Sequence, residues 1–375
     1  MPESERIYDL AIVGGGPAGS LAAALAAEAG LSTVVLEQKK MPRFKPCGGF
    51  VSARALSALP PDLDLGRITG EPVHTIRVNR GGRSFDYRPA RRLGLLVRRE
   101  YFDRYLLHYA AGKGALILEG HTLKGLDEAK TTAQPRGLYT LTAAETGLAP
   151  ITARYVIGAD GSMGRCGILS GLRKPGINPC GRGLSEIVET EPEIKAPGSG
   201  PGTLIFYPLP LLGGMGWSFN GSTWINRGVG GLLGPGLLKK AYLNLFDEDK
   251  NGSGPSWWPL PFLGPLKKAG RRNLLLIGDA AGLVEPFSGE GLFNAFKSAV
   301  LAFNAIKEAE KTGLEAGEIH NHLCKTNFRG AFILTLAGSI LLHSRALVYP
   351  ASMPRRMADL MENKLLFNRY FQSWT

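Results

Sequence analysis

Apolar and polar positions follow two different patterns along this chain, and each pattern predicts its own architecture. Residues 8–13, which are apolar apart from Asp9, form a short run that is typical of a buried parallel strand. An alanine-rich helical segment at 20–29 and a second apolar run at 32–36 follow, and together they predict a βαβ unit. Between about 170 and 264 the predicted strands are short, aromatic-rich and separated by glycine and proline turns. That region therefore favours a mainly antiparallel sheet.

The other periodic segments extend both parts of this plan. Residues 75–78 and 84–87 predict an antiparallel hairpin, and residues 99–111 predict an amphipathic helix. Further strands are predicted at 115–118, 138–143, 151–157 and 273–277, with a long helix at 289–309 and a helical tail after it.

The glycine-rich segment VGGGPAG lies between the first predicted strand and the first helix. Gly14 allows the tight turn, Gly16 lets the backbone reach a pyrophosphate, and Gly19 lets the helix pack closely on the strand. The positive end of the helix dipole then faces the phosphates. The residues predicted to contact the dinucleotide here are Gly14, Gly16, Pro17, Ala18 and Gly19.

An acidic residue ends the second predicted strand, where dinucleotide-binding folds place a carboxylate for the ribose. Glu37 occupies this position and Gln38 follows it. A carboxylate here accepts hydrogen bonds from a ribose diol. A glycine motif alone is a moderate signal, but strand, helix, strand and acid together are a strong one.

Two later segments, each at the end of an apolar strand, indicate that the dinucleotide is FAD. Asp160 and Gly161 follow one strand, and Gly278 and Asp279 follow another. Asp279 is placed to accept a hydrogen bond from a ribityl hydroxyl. The loop at 286–291 would bring helix-start N–H groups to the flavin N1 and C2 oxygen, where they stabilise the anionic reduced ring. The residues predicted to form this helix start are Gly289, Gly291 and Leu292.

With these motifs, and with KPCGG at 45–49 and REYFD at 99–103, the sequence resembles a known superfamily. It resembles the glutathione-reductase-type FAD proteins, in the branch of aromatic hydroxylases, halogenases and geranylgeranyl reductases. The resemblance covers roughly residues 7–310 and is greatest to the geranylgeranyl reductase family. It implies an α/β fold: a Rossmann-type FAD-binding domain, an inserted mainly antiparallel β-sheet substrate domain and a helical C-terminal region. The domain boundaries we predict are 1–72, 96–168 and 265–310 for the FAD-binding domain, 73–95 and 169–264 for the substrate domain, and 311–375 for the C-terminal region.

The resemblance also implies a reaction. The family reduces isolated C=C bonds of prenyl chains in chlorophyll precursors, archaeal lipids and isoprenoid quinones, by hydride transfer from N5 of reduced FAD. By the same resemblance Arg99 helps to hold the FAD, near its pyrophosphate or ribityl chain. The loop of Cys47, Gly48 and Gly49 is implied to lie beside the flavin ring, where the thiol positions the alkene or relays a proton. The alternative for Cys47 is a small buried hydrophobic residue, as most free cysteines are.

An aromatic signature of the family, Tyr-x-Trp-x-Phe-Pro, is matched in part by MGWSFN at 215–220. Trp217 and Phe219 fit the signature, whereas Met215 replaces its tyrosine and Asn220 its proline. Trp217 and Phe219 alternate onto one face of a strand, so they could line an apolar substrate tunnel. The alternative is that they are ordinary aromatic residues of the sheet core.

Other FAD chemistries remain alternatives. An aromatic monooxygenase shares the three flavin motifs, although the Pro-Cys-Gly-Gly loop argues against it. A halogenase is disfavoured because its Trp-x-Trp-x-Ile-Pro stretch is missing. A third alternative is an electron-transfer flavoprotein without an organic substrate of its own. Quinone-linked members of the superfamily add an iron–sulfur domain, which the four dispersed cysteines cannot supply. The electron donor is left open between NAD(P)H and reduced ferredoxin.

The charge of +12 favours anionic partners, namely an acidic electron-donor protein, a phosphate-bearing lipid or an anionic membrane surface. No aromatic-interleaved motif indicates nucleic acid, and the spacing of Cys47, Cys166, Cys180 and Cys324 predicts no metal site. The short acidic N-terminus does not read as a signal peptide. The apolar stretch at 331–342 is too short to span a bilayer, and a buried helix is the favoured explanation over an interfacial one. We expect a cytoplasmic protein that is peripheral, if membrane-bound at all, at the inner face.

Overall fold

The computed structural model describes residues 6–348 apart from 81–82, 132–133, 175–180, 190–199, 210–213, 233, 247–254 and 262–266. Cys180 and the segment 349–375 of the predicted C-terminal region therefore lie outside the described residues. The strands are β1 (Ile7–Val13), β2 (Thr33–Glu37), β3 (Phe50–Ser52), β4 (Gly70–Val73), β5 (Thr75–Arg80), β6 (Arg83–Tyr87), β7 (Gly94–Val97), β8 (Leu116–Glu119), β9 (Leu123–Thr131), β10 (Gln134–Ala143), β11 (Ile151–Gly158), β12 (Gly181–Glu189), β13 (Thr203–Pro208), β14 (Met215–Asn220), β15 (Trp224–Gly231), β16 (Ser256–Leu260), β17 (Gly270–Arg271) and β18 (Leu274–Leu276). The α-helices are α1 (Pro17–Glu28), α2 (Ala53–Ser57), α3 (Arg99–Gly112), α4 (Cys166–Leu169), α5 (Pro235–Leu245), α6 (Leu292–Thr312) and α7 (Ala316–Val348).

An eight-stranded sheet forms the first layer, in the order β17, β18, β11, β1, β2, β8, with β10 and β9 continuing from β11. The five strands from β18 to β8 are mutually parallel. Helices α1, α3 and α6 bury one face of this sheet. Helix α7 packs on the other face, in a core cluster to which β10 also contributes. Burial on both faces explains why these strands read as continuous apolar runs rather than as alternating patterns.

A seven-stranded sheet forms the second layer, in the order β16, β12, β15, β14, β13, β5, β6. All its neighbouring strands are antiparallel except β13 and β5. The predicted hairpin supplies β5 and β6. It joins this sheet through β13, although the other strands of the sheet lie about 100 or more residues later in the chain. The predicted α/β fold class, with its mainly antiparallel second sheet, is confirmed.

Several local expectations differ from the structure. A small sheet of β3, β7 and β4 was not anticipated, because its strands are only three or four residues long. Helix α1 begins at Pro17 rather than at residue 20, since proline is preorganised for the first helical position. Helix α6 begins at Leu292, so Gly289 precedes it.

The favoured expectation of a buried helix at 331–342 is wrong for part of that stretch. In α7, Phe332 is buried, but Ile333 and Leu334 are 59% and 74% exposed. The helix runs on past the sheet that buries its earlier residues, Cys324 and Phe328. Within the described part of the chain, no helix combines the length and apolarity needed to cross a bilayer.

Candidate active site

One cleft of about 410 Å³ lies between the two sheets and brings the separated motifs together. Its volume falls in the usual range for ligand sites, about 300–1,000 Å³. The carboxyl ends of β1, β2, β11 and β18 meet at its first wall, because parallel strands end on the same edge of a sheet. Of the residues singled out from the sequence, all line the cleft except Gly19, which lies behind the glycine turn.

The glycine segment forms a close-packed cradle at the start of α1. Gly14 has φ +104°, and a Cβ added there would lie 2.4 Å from the carbonyl oxygen of Ala159. A Cβ at Gly19 would lie 1.9 Å from the carbonyl oxygen of Gly14, so α1 packs directly on the turn. The N-cap residue, Gly16, supplies no side-chain cap. The first N–H groups of α1 are thus placed for an anionic ligand at the cleft wall.

An arginine that the sequence motifs did not single out completes this cradle. Arg43 lines the cleft, and its guanidinium lies next to Gly16. It forms ion pairs with Asp103 at 3.2 Å and Glu37 at 3.7 Å. The only sign in the sequence that Arg43 lies at the site is its position in the loop that follows Glu37. A positive charge here complements a pyrophosphate.

Glu37 is buried at the end of β2, where a ribose-binding carboxylate was predicted. One carboxylate oxygen accepts the N–H of Gly15 at 2.7 Å, and the other accepts the N–H of Lys39 at 2.9 Å. Each oxygen of a carboxylate can accept more than one hydrogen bond, so capacity remains for ribose hydroxyls. The backbone bonds hold the carboxylate in a fixed orientation towards the cleft.

Two further carboxylates face the cleft from the ends of β11 and β18. Asp160 Oδ2 accepts the N–H of Cys166 at 2.8 Å, whereas its Oδ1 is buried with no hydrogen-bond partner among the residues that the structure describes. Burial raises the pKa of Asp160 to about 6. Asp279 lies 3.3 Å from Lys45 Nζ. The orphaned oxygen of Asp160 fits a hydroxyl donor on a bound ligand.

The loop before α6 is shaped by a glutamate that sequence reasoning missed. Both oxygens of Glu285 are used: one accepts the N–H of Phe287 and the other that of Ser288, each at 2.8 Å. Gly291 is the N-cap of α6 and again offers no side-chain cap. The N–H groups at Leu292 and beyond therefore begin a helix at the cleft, as the predicted flavin contact requires.

The loop carrying Cys47 has a defined local geometry. Gly49 has φ +79° and donates its N–H to Cys47 Sγ at 3.4 Å. The Arg99 guanidinium lines the same part of the cleft and donates to both oxygens of Asp103, at 2.7 and 2.9 Å. Burial alone would lower the pKa of Arg99, but Asp103 and Cys47 raise it above its ordinary value. In this structure the Arg99 guanidinium binds Asp103. Its predicted contact with FAD stays a prediction.

The second wall of the cleft is a face of the antiparallel sheet. Trp217 and Phe219 both line it, as predicted from their alternation on β14. Phe219 packs edge-to-face on Phe206, with ring centroids 5.2 Å apart. A Cβ at Gly48 would lie only 2.5 Å from the Phe219 ring, so the Cys47 loop and the sheet are in direct contact. Residues of this wall that were not anticipated are Gly183, Ser185, Phe206, Met215, Gly230, Trp258 and Leu260.

The glycine cradle, the uncapped helix ends, the fixed ribose-site carboxylate and the unpaired Asp160 oxygen all fit FAD. The chain matches the FAD binding domain family over residues 8–208, so fold and cleft together define an FAD-binding oxidoreductase.

Comparison with individual proteins narrows this class. The chain is 32% identical over 324 residues to digeranylgeranylglycerophospholipid reductase 1 of Methanopyrus kandleri, covering 80% of this chain and 81% of that protein. It is 28% identical to the chloroplastic geranylgeranyl diphosphate reductase of Arabidopsis thaliana, over 86% and 71% of the two chains. A geranylgeranyl bacteriochlorophyll reductase-like protein from Thermoplasma acidophilum has the same fold, with a TM-score of 0.78 at 21% identity over 99% and 100% of the chains. The chain belongs to the geranylgeranyl reductase family.

Family membership confirms the resemblance drawn from the motifs and the expectation of FAD. It also leaves the monooxygenase, halogenase and electron-transfer alternatives with less support. The roles of the individual site residues stay predictions, since the comparisons do not test them.

Proposed function

We propose that the chain is an FAD-dependent reductase that saturates C=C bonds of a geranylgeranyl-type prenyl chain in a lipid, quinone or pigment precursor. The observation that carries the proposal is the contact between Gly48 and Phe219. Through it the loop that carries the Cys47 thiol adjoins an aromatic sheet face within one cleft. Membership of the geranylgeranyl reductase family supports the substrate class.

The sheet face supplies the environment that an isolated alkene needs. Such an alkene resists hydride attack unless it is held close to the donor in a site that excludes water. Phe206, Trp217 and Phe219 offer an apolar surface for the prenyl chain. When bound in this cleft and reduced, FAD would supply the hydride for one alkene carbon.

Reduction also requires a proton at the second alkene carbon, and we assign its delivery to Cys47 Sγ. The N–H of Gly49 donates to the sulfur and so holds the Cys47 side chain at the cleft. A hydride and a proton together account for the two hydrogens gained. Exchange with water between turnovers restores the thiol.

The cofactor-binding roles proposed for the remaining lining residues follow the site geometry. The cradle at Gly14 and Gly16 with the start of α1 would hold the pyrophosphate, Glu37 the ribose, and Asp160 and Asp279 hydroxyl groups of the flavin half. The boundaries given above for the FAD-binding domain, the substrate domain and the C-terminal region are likewise proposed, with the cleft where the first two meet.

The electron donor and the surface partners form a separate part of the proposal. The two candidate electron donors are NAD(P)H and reduced ferredoxin. The charge of +12 favours an acidic protein such as ferredoxin. The same charge favours peripheral binding to an anionic membrane at its inner face. Turnover with ferredoxin that falls steeply with added salt, while turnover with NAD(P)H does not, would support the acidic partner.

The reaction is tested with the photoreduced holoprotein, mixed anaerobically with geranylgeranyl lipids and quinones. Flavin reoxidation, together with a product heavier by two hydrogens, is the expected result. Flavin that stays reduced until oxygen is admitted, and then yields a hydroxylated product, would overturn the proposal in favour of a monooxygenase.

The role of Cys47 is tested by Cys47→Ala. We expect this variant to retain FAD and to lose about 100-fold or more of its alkene reduction, the usual contribution of a positioned proton donor. Cys324→Ala is the matched control, because Cys324 is a buried thiol in α7 that does not line the cleft. Unchanged turnover in Cys47→Ala would contradict the catalytic role.

A further inference from the structure

Asn226 is a buried polar residue of the antiparallel sheet, on the same face as Phe219 and beneath the Cys47 loop. It lies on β15 directly opposite Phe219 of β14, and its exposed fraction is 2%. It does not line the cleft. A fully buried amide must form hydrogen bonds to offset the loss of water, so its partners indicate what it does.

The two ends of the Asn226 amide bind two different parts of the site. Its Oδ1 accepts the indole N–H of Trp217 at 2.8 Å, and its Nδ2 donates to the backbone carbonyl of Cys47 at 2.6 Å. The indole nitrogen only donates and the carbonyl only accepts, so the orientation of the amide is fixed by chemistry. Asn226 therefore joins a cleft-lining aromatic ring to the backbone of the thiol-bearing residue, 179 positions earlier in the chain.

A second contact lies beside this bond. The Phe219 ring covers Gly48, the residue after Cys47, so tightly that a Cβ would lie 2.5 Å from it. Two consecutive loop residues are thus held by two facing residues of the sheet. The ring contact limits how closely the loop approaches, while the directional Asn226 bond fixes the orientation of the Cys47 peptide plane.

We propose that Asn226 is a positioning residue, which orients the Cys47 thiol and the Trp217 ring relative to one another across the cleft. The inference rests on the proposed function, in which both side chains act on the prenyl chain. Asn226 touches neither substrate nor cofactor in this assignment and works only through its two partners. The single amide thus fixes the position of the Cys47 backbone relative to the Trp217 ring.

Asn226→Asp separates the two bonds, because it keeps an acceptor for Trp217 but sets a carboxylate oxygen against the Cys47 carbonyl. Asn226→Ser, which is too short to span both partners, is the second variant in case the buried charge prevents folding. Ser218→Ala is the matched control. It removes a hydroxyl that donates to Asn220, on the opposite face of the same β14 strand.

The first readout is the rate at which iodoacetamide alkylates Cys47 in the FAD-loaded protein, measured by mass spectrometry of the Cys47 peptide. We expect about a ten-fold faster rate in an Asn226 variant, since the loss of one buried hydrogen bond frees the loop by about that factor. The second readout is prenyl reduction. We expect kcat to fall about 10- to 100-fold with little change in KM, because the reacting groups are misplaced while the apolar surface is intact.

The outcomes separate this inference from the function on which it rests. The positioning role is supported if Cys47 is alkylated faster in the Asn226 variants at full FAD content, while its alkylation rate in Ser218→Ala equals that of wild type. This result supports the role whether or not an alkene is reduced. An alkylation rate equal to wild type in folded, FAD-loaded Asn226 variants would overturn it, even if turnover fell. Faster alkylation combined with a fully active Cys47→Ala protein would uphold the positioning of the loop and overturn the catalytic role of Cys47.

Discussion

The contact between Gly48 and Phe219 makes Gly48→Ala the sharpest single perturbation of the site. A Cβ at this position would lie 2.5 and 3.0 Å from two atoms of the Phe219 ring, well inside van der Waals contact. The backbone at Gly48 is not in the left-handed region, so an alanine is tolerated there apart from this clash. Any effect of the substitution therefore reports the contact between loop and sheet.

The ring has little room to move away from an added methyl group. Phe219 is 6% exposed and packs edge-to-face on Phe206, with Trp217 on its other side at 6.4 Å between centroids. Either the aromatic cluster or the loop must shift. Overpacking of this kind costs about 1–3 kcal/mol. We expect the free energy of unfolding of Gly48→Ala to fall by that amount and alkene reduction to fall with it, because the loop carries Cys47.

Urea unfolding, FAD content and prenyl reduction are the measurements. Gly112→Ala is the control, since a Cβ at this helix-end glycine meets nothing within 4 Å. The double variant Gly48→Ala, Phe219→Leu tests the cause, because removing the ring should recover about 1 kcal/mol or more as coupling energy. A Gly48→Ala protein whose stability is within about 0.5 kcal/mol of wild type, with normal turnover, would refute the reasoning.

Three further predictions concern the cofactor wall. Gly19→Ala places a Cβ 1.9 Å from the backbone oxygen of Gly14, so we expect a loss of about 3 kcal/mol or more in urea unfolding; a smaller loss than for Gly48→Ala would contradict this packing. The pKa of Asp160 is raised from 3.8 to about 6, so its contribution to stability is present below about pH 4 and is lost as the pH rises through 6. In the flavin-free protein, the free energy of unfolding of Asp160→Asn should therefore match that of wild type near pH 4 and exceed it by about 3 kcal/mol at pH 7. A difference in unfolding free energy that does not change with pH would count against a buried charge at Asp160. Glu37→Gln loses one of two charge-assisted bonds to backbone N–H groups, so FAD should bind about ten-fold more weakly in a titration of the apoprotein, while equal affinity would place the ribose elsewhere.

The cofactor wall could be predicted from sequence because its signals are local. A parallel strand buried on both faces needs an apolar run, and a turn as tight as that at Gly14 needs glycine. Each of these requirements acts within a few residues, so the order of motifs along the chain was enough to place the wall. The family resemblance then indicated the loop at Cys47, which no periodicity would have revealed.

The contacts that assemble the cleft could not be predicted in this way. Asn226 meets Cys47, and Arg43 meets Asp103, only because the chain returns to the same place after long separations. Glu285 reads in the sequence as one more surface acid, yet it is buried and shapes the loop before α6. The exposure of Leu334 was misjudged for a related reason, since its apolar character does not reveal where the packing surface under α7 ends.

The two walls of the cleft are subject to different constraints, and this difference bears on how members of one fold come to accept different substrates. The cofactor wall consists largely of backbone groups and glycines, such as Gly14, where any side chain collides with the neighbouring main chain. The sheet wall includes large side chains such as Trp217 and Phe219, which can change without moving the backbone. The two departures from the family's aromatic signature both lie on β14 of this sheet. Met215 lines the cleft, so its exchange for tyrosine changes the surface that a prenyl chain meets. Asn220 is buried away from the cleft lining, and its carbonyl accepts the N–H of Gly202, a bond that a proline carbonyl would also form. We therefore expect the exchange at 215, rather than the one at 220, to affect which substrate binds.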